Sequence, residues 1–166
     1  MSGRGSRAVT PALLALAISG AAPAQTVNFD PAVAQGCLDR GEAACIGEAT
    51  EACVRATPGG ASTVGYALCT RAELTWWDDR LNAAYQRMLV QARGIDAQSS
   101  SYGTPNRPSD EAALRAMQRS WIVYRDATCG YEELQWWGGT GAHGAGLACA
   151  MRLTGAQTLY LQSLVF

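Results

Sequence analysis

Lysine is absent from this sequence, and all 13 of its cationic side chains are arginines. Histidine is nearly absent: His143 stands alone in a glycine-rich stretch, with no paired nucleophile or orienting carboxylate near it in sequence. It reads as a solvated loop residue and offers no acid–base pair for catalysis. Carboxylates do not fill the gap, because Asp78-Asp79 and Glu132-Glu133 are adjacent pairs whose side chains diverge on a helix. No enzyme, no metal site and no cofactor is expected. Long apolar runs are also lacking: beyond the first 25 residues no stretch of about 18 apolar residues occurs, so no later membrane span is expected. Sustained period-two alternation is missing as well, which argues against strands.

What is present begins with an export signal. Arg4 and Arg7 form a positive n-region, Ala8 to Ile18 is a short apolar run, and Ala22-Pro23-Ala24 is an A-x-A cleavage signature. Residues 1–24 are therefore expected to be a signal peptide, and residues 25–166 one secreted or periplasmic domain. No cysteine follows the cleavage site, so no lipid anchor is expected there. Without Arg4 and Arg7 the chain holds 11 arginines against 14 carboxylates, a net charge of −3. That balance excludes a nucleic-acid partner, which would need a basic face, and is compatible with a basic protein partner.

Six cysteines in an exported chain imply disulfides rather than metal ligation or redox chemistry. If Cys45 and Cys53 lay on one helix they would be about 12 Å apart, beyond the reach of a bridge. Cys37 and Cys45 flank Gly41, Cys53 and Cys69 flank Thr57-Pro58-Gly59-Gly60, and Cys129 and Cys149 flank the glycine-rich stretch after Trp137. The expected pairs are sequential: 37–45, 53–69 and 129–149.

The apolar spacing predicts an all-α fold, a small bundle of long antiparallel helices with short N-terminal helices and disulfide staples. Asp30 and Pro31 open the first short helix, Gly41 interrupts, and a second runs from Glu42 to Ala56. A long helix is expected over 65–93, with Leu74, Trp77, Leu81, Tyr85, Met88 and Ala92 as its stripe and Glu73 and Arg80 facing water. Gly94 is its natural stop, and residues 96–108 read as loop. Ser109 caps a second long helix reaching about Trp136, with Leu114, Met117, Trp121, Tyr124 and Thr128 on its apolar face. Residues 138–146 read as too glycine-rich for a stable element, and a last helix covers 147–164.

Two groups of side chains exceed what a plain amphipathic bundle needs. Asp78 and Asn82 lie along one side of the first long helix, and Gln118, Arg125 and Asp126 on the second. Antiparallel packing would let the Asp78 carboxylate fork onto the Arg125 guanidinium, with Tyr85 near Gln118, as a structural polar network that fixes register. The second group is Trp76-Trp77, Trp136-Trp137 and Tyr102. Trp77 is expected in the core, with Trp76, Trp136, Trp137 and Tyr102 as a candidate partner surface. For the tryptophan doublets core packing is the first reading, with that partner surface and then glycan stacking as the alternatives.

The pattern Asp78-x-x-Leu81-Asn82-x-x-Tyr85, then Gln118-x-x-Trp121-x-x-x-Arg125-Asp126-x-x-Cys129 and Cys149, resembles the lysozyme inhibitor LprI N-terminal domain family. The resemblance covers roughly residues 53–164, leaving 25–52 as a cysteine-rich N-terminal extension. It implies helical, disulfide-tied domains of secreted or envelope proteins without a cofactor, and inhibition of C-type lysozyme. One departure is that Thr154 is followed three residues later by Gln157, where the family usually has arginine. Two readings follow: an inhibitor that docks on lysozyme, or an accessory cell-envelope domain that binds peptidoglycan fragments or another envelope protein.

Overall fold

The computed structural model describes residues 26–101 and 106–164. Two short helices, α1 (Pro31–Arg40) and α2 (Glu48–Ala56), precede three long ones: α3 (Thr63–Ser101), α4 (Asp110–Leu134) and α5 (Ala142–Ser163). No strand occurs among the described residues. The fold is all-α and stapled by disulfides, as the spacing predicts. The segments expected to be a signal peptide and the Tyr102 loop tip lie outside the described residues.

Local chemistry sets most boundaries. The Asp30 side chain accepts from the Ala32 N–H with Pro31 in the first turn, and α1 ends on Gly41 at φ 68°. The single helix expected over 42–56 is split instead. A 3-10 turn at Ala43–Cys45 is followed by Gly47 at φ 107°, and α2 starts only after it. Ser109 caps α4 by accepting from the Ala112 N–H.

Two expectations about glycine are overturned. α3 runs through Gly94 to Ser101, about 58 Å in all. Gly94 has nothing within 4 Å of where a Cβ would stand, so it costs only its intrinsic propensity, about 1 kcal/mol. Tertiary anchoring offsets that cost: beyond Gly94 the Asp96 carboxylate accepts from Ser109 Oγ and from the Asp110 and Glu111 N–H groups. The far end of α3 thus caps the start of α4. The stretch read as too glycine-rich likewise belongs partly to α5, which starts at Ala142 and includes Gly144 and Gly146. Small residues suit α5 because it packs along both α3 and α4. Ile46, for example, lies against the bare backbone of Gly155, 2.8 Å from where a Cβ would sit.

The core is a column of three contiguous layers. Trp76, Trp77, Met151 and Ala49 pack with the Cys37 and Cys45 bridge at one end. Leu81, Ala84 and Leu161 fill the middle, with Trp121 and Met117 against them. Leu89, Ala92 and Leu114 close the end where α3 turns into α4. The three disulfides are those expected: Cys37–Cys45, Cys53–Cys69 and Cys129–Cys149, with Cα separations of 5.5, 5.7 and 5.3 Å. The last joins the end of α4 to α5, so the glycine turn between them is closed covalently. Among the described residues no helix is long and apolar enough to cross a membrane.

Candidate functional site

The residues expected to form one polar network fall instead into three separate pairs. Asp78 accepts from Asn82 Nδ2 on its own helix at 3.1 Å, near the surface. Arg125 does not reach Asp78. It turns to its sequence neighbour, Nε to Asp126 Oδ1 at 2.9 Å, and its guanidinium lies 5.0 Å from the Trp121 ring. The expected helix-to-helix fork is therefore replaced by a local pair. The cross-helix polar link is instead an amide pair: Gln157 Nε2 donates to Gln118 Oε1 at 3.2 Å, and both side chains are buried. Gln157 occupies the position where an arginine was expected from the family pattern. A neutral amide meets Gln118 there without burying a charge.

Sequence reasoning missed the one buried carboxylate among the described residues. Glu73, expected to face water, is fully buried. Its Oε1 accepts from the Gly47 N–H at 2.8 Å and from Trp77 Nε1 at 3.0 Å, and its Oε2 accepts from the Thr50 N–H at 2.6 Å. The carboxylate thereby satisfies orphan donors at the start of α2, where the helix dipole favours negative charge. One turn of spacing from Glu73 to Trp77, a carboxylate facing an indole N–H, was the available signal.

The tryptophans divide sharply. Trp76 is buried, contrary to expectation, edge-on to Trp77 at 4.9 Å with the Arg80 guanidinium 4.3 Å from its ring. Burying both indoles is possible because the face of α3 is covered twice, by the N-terminal helices and by α5. Trp136 and Trp137 stand in the turn after α4, 59% and 85% exposed. Tyr124, expected in the core, points outward. The buried side of α4 is centred on Leu114, Gln118 and Cys129, which turns Tyr124, Tyr131 and Leu134 to solvent. His143 is exposed but bonded, its Nε2 3.0 Å from Arg71 Nη2.

Beside this turn runs a groove of about 360 Å³ between the starts of α3 and α5. Tyr66 and Trp136 wall it, Gly141, Gly144 and Ala148 line it, and Thr63 contributes a hydroxyl. Trp136 is laid over Gly141, where a Cβ would stand 3.3 Å from the indole. A cleft of about 670 Å³ adjoins it at Tyr66 and Ala148 and includes Glu51, Arg55 and Arg152. Tyr66 Oη donates to Glu51 Oε1 at 3.0 Å. Burial, that bond and the negative charges of Glu51 and Glu73 hold the phenol above its usual pKa.

A three-helix column with a short disulfide-tied helical head, a buried amide pair and exposed indoles at one end makes this a stapled all-α domain. The chain belongs to the lysozyme inhibitor LprI family, which it matches over residues 53–161. That stretch holds α3, α4 and almost all of α5, together with two of the three disulfides. The family is one of inhibitors rather than enzymes. The chain is also similar to an uncharacterized 17.7 kDa protein in the puhA 5′ region of Rhodobacter capsulatus, 28% identical over 153 residues. That likeness covers 92% of this chain and 93% of the relative. No solved structure gives a significant match. Its bridges and its family are those of an extracytoplasmic protein.

Proposed function

We propose that this protein is a non-enzymatic binding protein of the periplasm or extracellular space that inhibits C-type lysozyme by stoichiometric contact. Membership of the LprI family across the three long helices carries the reading. The excess of carboxylates over arginines supports it, since an acidic surface attracts a basic enzyme and speeds encounter. Residues 1–24 serve as the export signal on this reading, so mass spectrometry of the exported protein gives a chain beginning near Gln25.

The test is a titration of oxidised mature protein into hen-type lysozyme while the clearing of cell walls is followed. Inhibition that saturates at a fixed molar ratio, and weakens with added salt, supports the proposal. Full lysozyme activity at micromolar excess overturns it.

A second reading, an envelope domain that binds peptidoglycan fragments, is favoured by one feature. The groove between Tyr66 and Trp136 offers two aromatic walls and a hydroxyl, the surfaces on which sugars stack. Quenching of Trp136 fluorescence by soluble muropeptides, with lysozyme activity untouched, selects it.

A further inference from the structure

We propose that three adjoining hollows at the head of the bundle form one furrow that binds an acidic glycopeptide, the chemistry of a peptidoglycan fragment. The inference rests on the second of the two readings above and names the groups that select the ligand. It is independent of any contact with lysozyme.

The groove walled by Tyr66 and Trp136 is the middle of this furrow. The cleft of about 670 Å³ joins it at Tyr66 and Ala148, and a third hollow of about 260 Å³ joins it at Thr63 and Gly144. The furrow thus runs from α2, over the starts of α3 and α5, to Arg71 and His143. Two of the bridges tie its walls together: Cys53–Cys69 joins α2 to α3, and Cys129–Cys149 joins the end of α4 to α5. Trp136 lies over Gly141, which has no side chain to push it away. The walls are therefore pre-organised, which lowers the entropy that binding must overcome. A concave site with aromatic walls and a few convergent polar groups is the usual form of a ligand site.

Charge distinguishes the ends of the furrow from its middle, which is lined by no charged side chain. The ends hold three arginines, Arg55, Arg71 and Arg152, and two carboxylates, Glu48 and Glu51. Arg152 is paired with Glu132 at 2.8 Å, and Glu48 with Arg40 at 2.6 Å. Glu73, buried beneath the cleft, has both oxygens taken by the N–H groups of Gly47, Thr50 and Trp77. Among the described residues this leaves one arginine at each end with no carboxylate partner. Arg55 stands at one end, and Arg71, against the neutral face of the His143 ring at 3.0 Å, at the other. Glu51, one turn before Arg55 on α2, accepts from Tyr66 Oη through Oε1 and keeps Oε2 for a further donor. A peptidoglycan fragment answers each group. Its sugar rings present C–H faces to Tyr66 and Trp136, an acetamido N–H or hydroxyl donates to Glu51, and carboxylates of its peptide stem fork onto the two guanidinium groups. A neutral glycan meets only the middle and Glu51, so the acidity of the ligand is what the ends select.

Calorimetry on the oxidised mature protein compares a disaccharide–tetrapeptide from peptidoglycan with the neutral N-acetylglucosamine tetramer. The proteins are wild type, Arg55→Gln/Arg71→Gln, Trp136→Ala and the control Arg87→Gln, an exposed arginine of α3 outside the furrow. Each variant is first checked for wild-type melting. The expected result is a wild-type affinity about tenfold or more higher for the acidic fragment. The double variant loses that preference, Trp136→Ala weakens the acidic fragment about tenfold, and Arg87→Gln changes neither ligand. A preference that survives the double variant, or equal binding of the two ligands by wild type, overturns the role of the arginines while the peptidoglycan reading stands. Binding untouched by Trp136→Ala places the glycan elsewhere and overturns the furrow. If wild type binds neither ligand, the peptidoglycan reading and this inference fall together.

Discussion

Glu73 and Trp77, one turn apart on α3, are joined by a buried hydrogen bond from the indole Nε1 to Oε1 at 3.0 Å. The same carboxylate holds the backbone of Gly47 and Thr50, so one side chain fixes the angle at which α2 meets α3. The Cys53–Cys69 bridge ties the same two helices further along. The N-terminal head is thus fastened to the bundle at two points, one polar and one covalent.

Replacing Glu73 tests the polar point. Glu73→Ala leaves the Thr50 N–H and the Trp77 indole N–H buried without an acceptor and strips the half-buried Gly47 N–H of its own, which costs about 3 kcal/mol. Glu73→Gln keeps one acceptor but sets an amide donor against the others, and is expected to cost about 1–2 kcal/mol. Urea denaturation of the oxidised proteins gives both values. A loss under 0.5 kcal/mol for the alanine variant would refute the anchoring role.

Arg125 is expected to matter less than a buried cross-helix ion pair would. Its partner Asp126 is well exposed and its stacking on Trp121 is partial, so Arg125→Ala should cost about 0.5–1 kcal/mol. A double-mutant cycle of Arg125→Ala with Asp78→Ala should show near-zero coupling, while the cycle with Asp126→Ala shows a small one. Coupling above 1 kcal/mol with Asp78 would restore the fork between α3 and α4.

The glycines of α3 separate close approach from mere tolerance. At Gly65 an added Cβ would stand 2.3 Å from the Gly59 carbonyl oxygen, so Gly65→Ala forces the 57–62 turn off the helix and should cost about 2–3 kcal/mol. At Gly94 the space is open, and Gly94→Ala should stabilise by about 0.5–1 kcal/mol. Thermal melts of the two variants should move in opposite directions.

Acid should act at the α3–α4 junction. The Asp96 carboxyl is held below its usual pKa by the Ser109 hydroxyl, then by the Asp110 and Glu111 N–H groups. Bonds from Arg93 and Arg115 do the same for Glu111. A carboxylate with a lowered folded-state pKa contributes stability above its unfolded value, about 3.9 for Asp, and loses it as pH falls through the folded value. The stability gap between wild type and Asp96→Asn should therefore be full at pH 6 and shrink below about pH 4. Denaturant midpoints across that range read it directly, and a gap independent of pH would exclude the linkage.

Apolar periodicity, cysteine spacing and two helix caps were readable along the chain and led to the helices and the three bridges, while the resemblance of the motif from Asp78 to Cys149 led to the family. Each depends on interactions within a few residues or on a covalent pairing that short loops nearly dictate. What only tertiary structure decided is how far a helix runs through glycine and which side of it is covered. Gly94, Gly144 and Gly146 stay helical because neighbouring helices and the Asp96 cap outweigh about 1 kcal/mol each. Trp76 is buried and Tyr124 exposed because four elements share α3 while the outward side of α4 faces none. Glu73 passed for a surface residue because its partners, Gly47 and Thr50, lie 26 and 23 residues away and meet it only once the chain has folded.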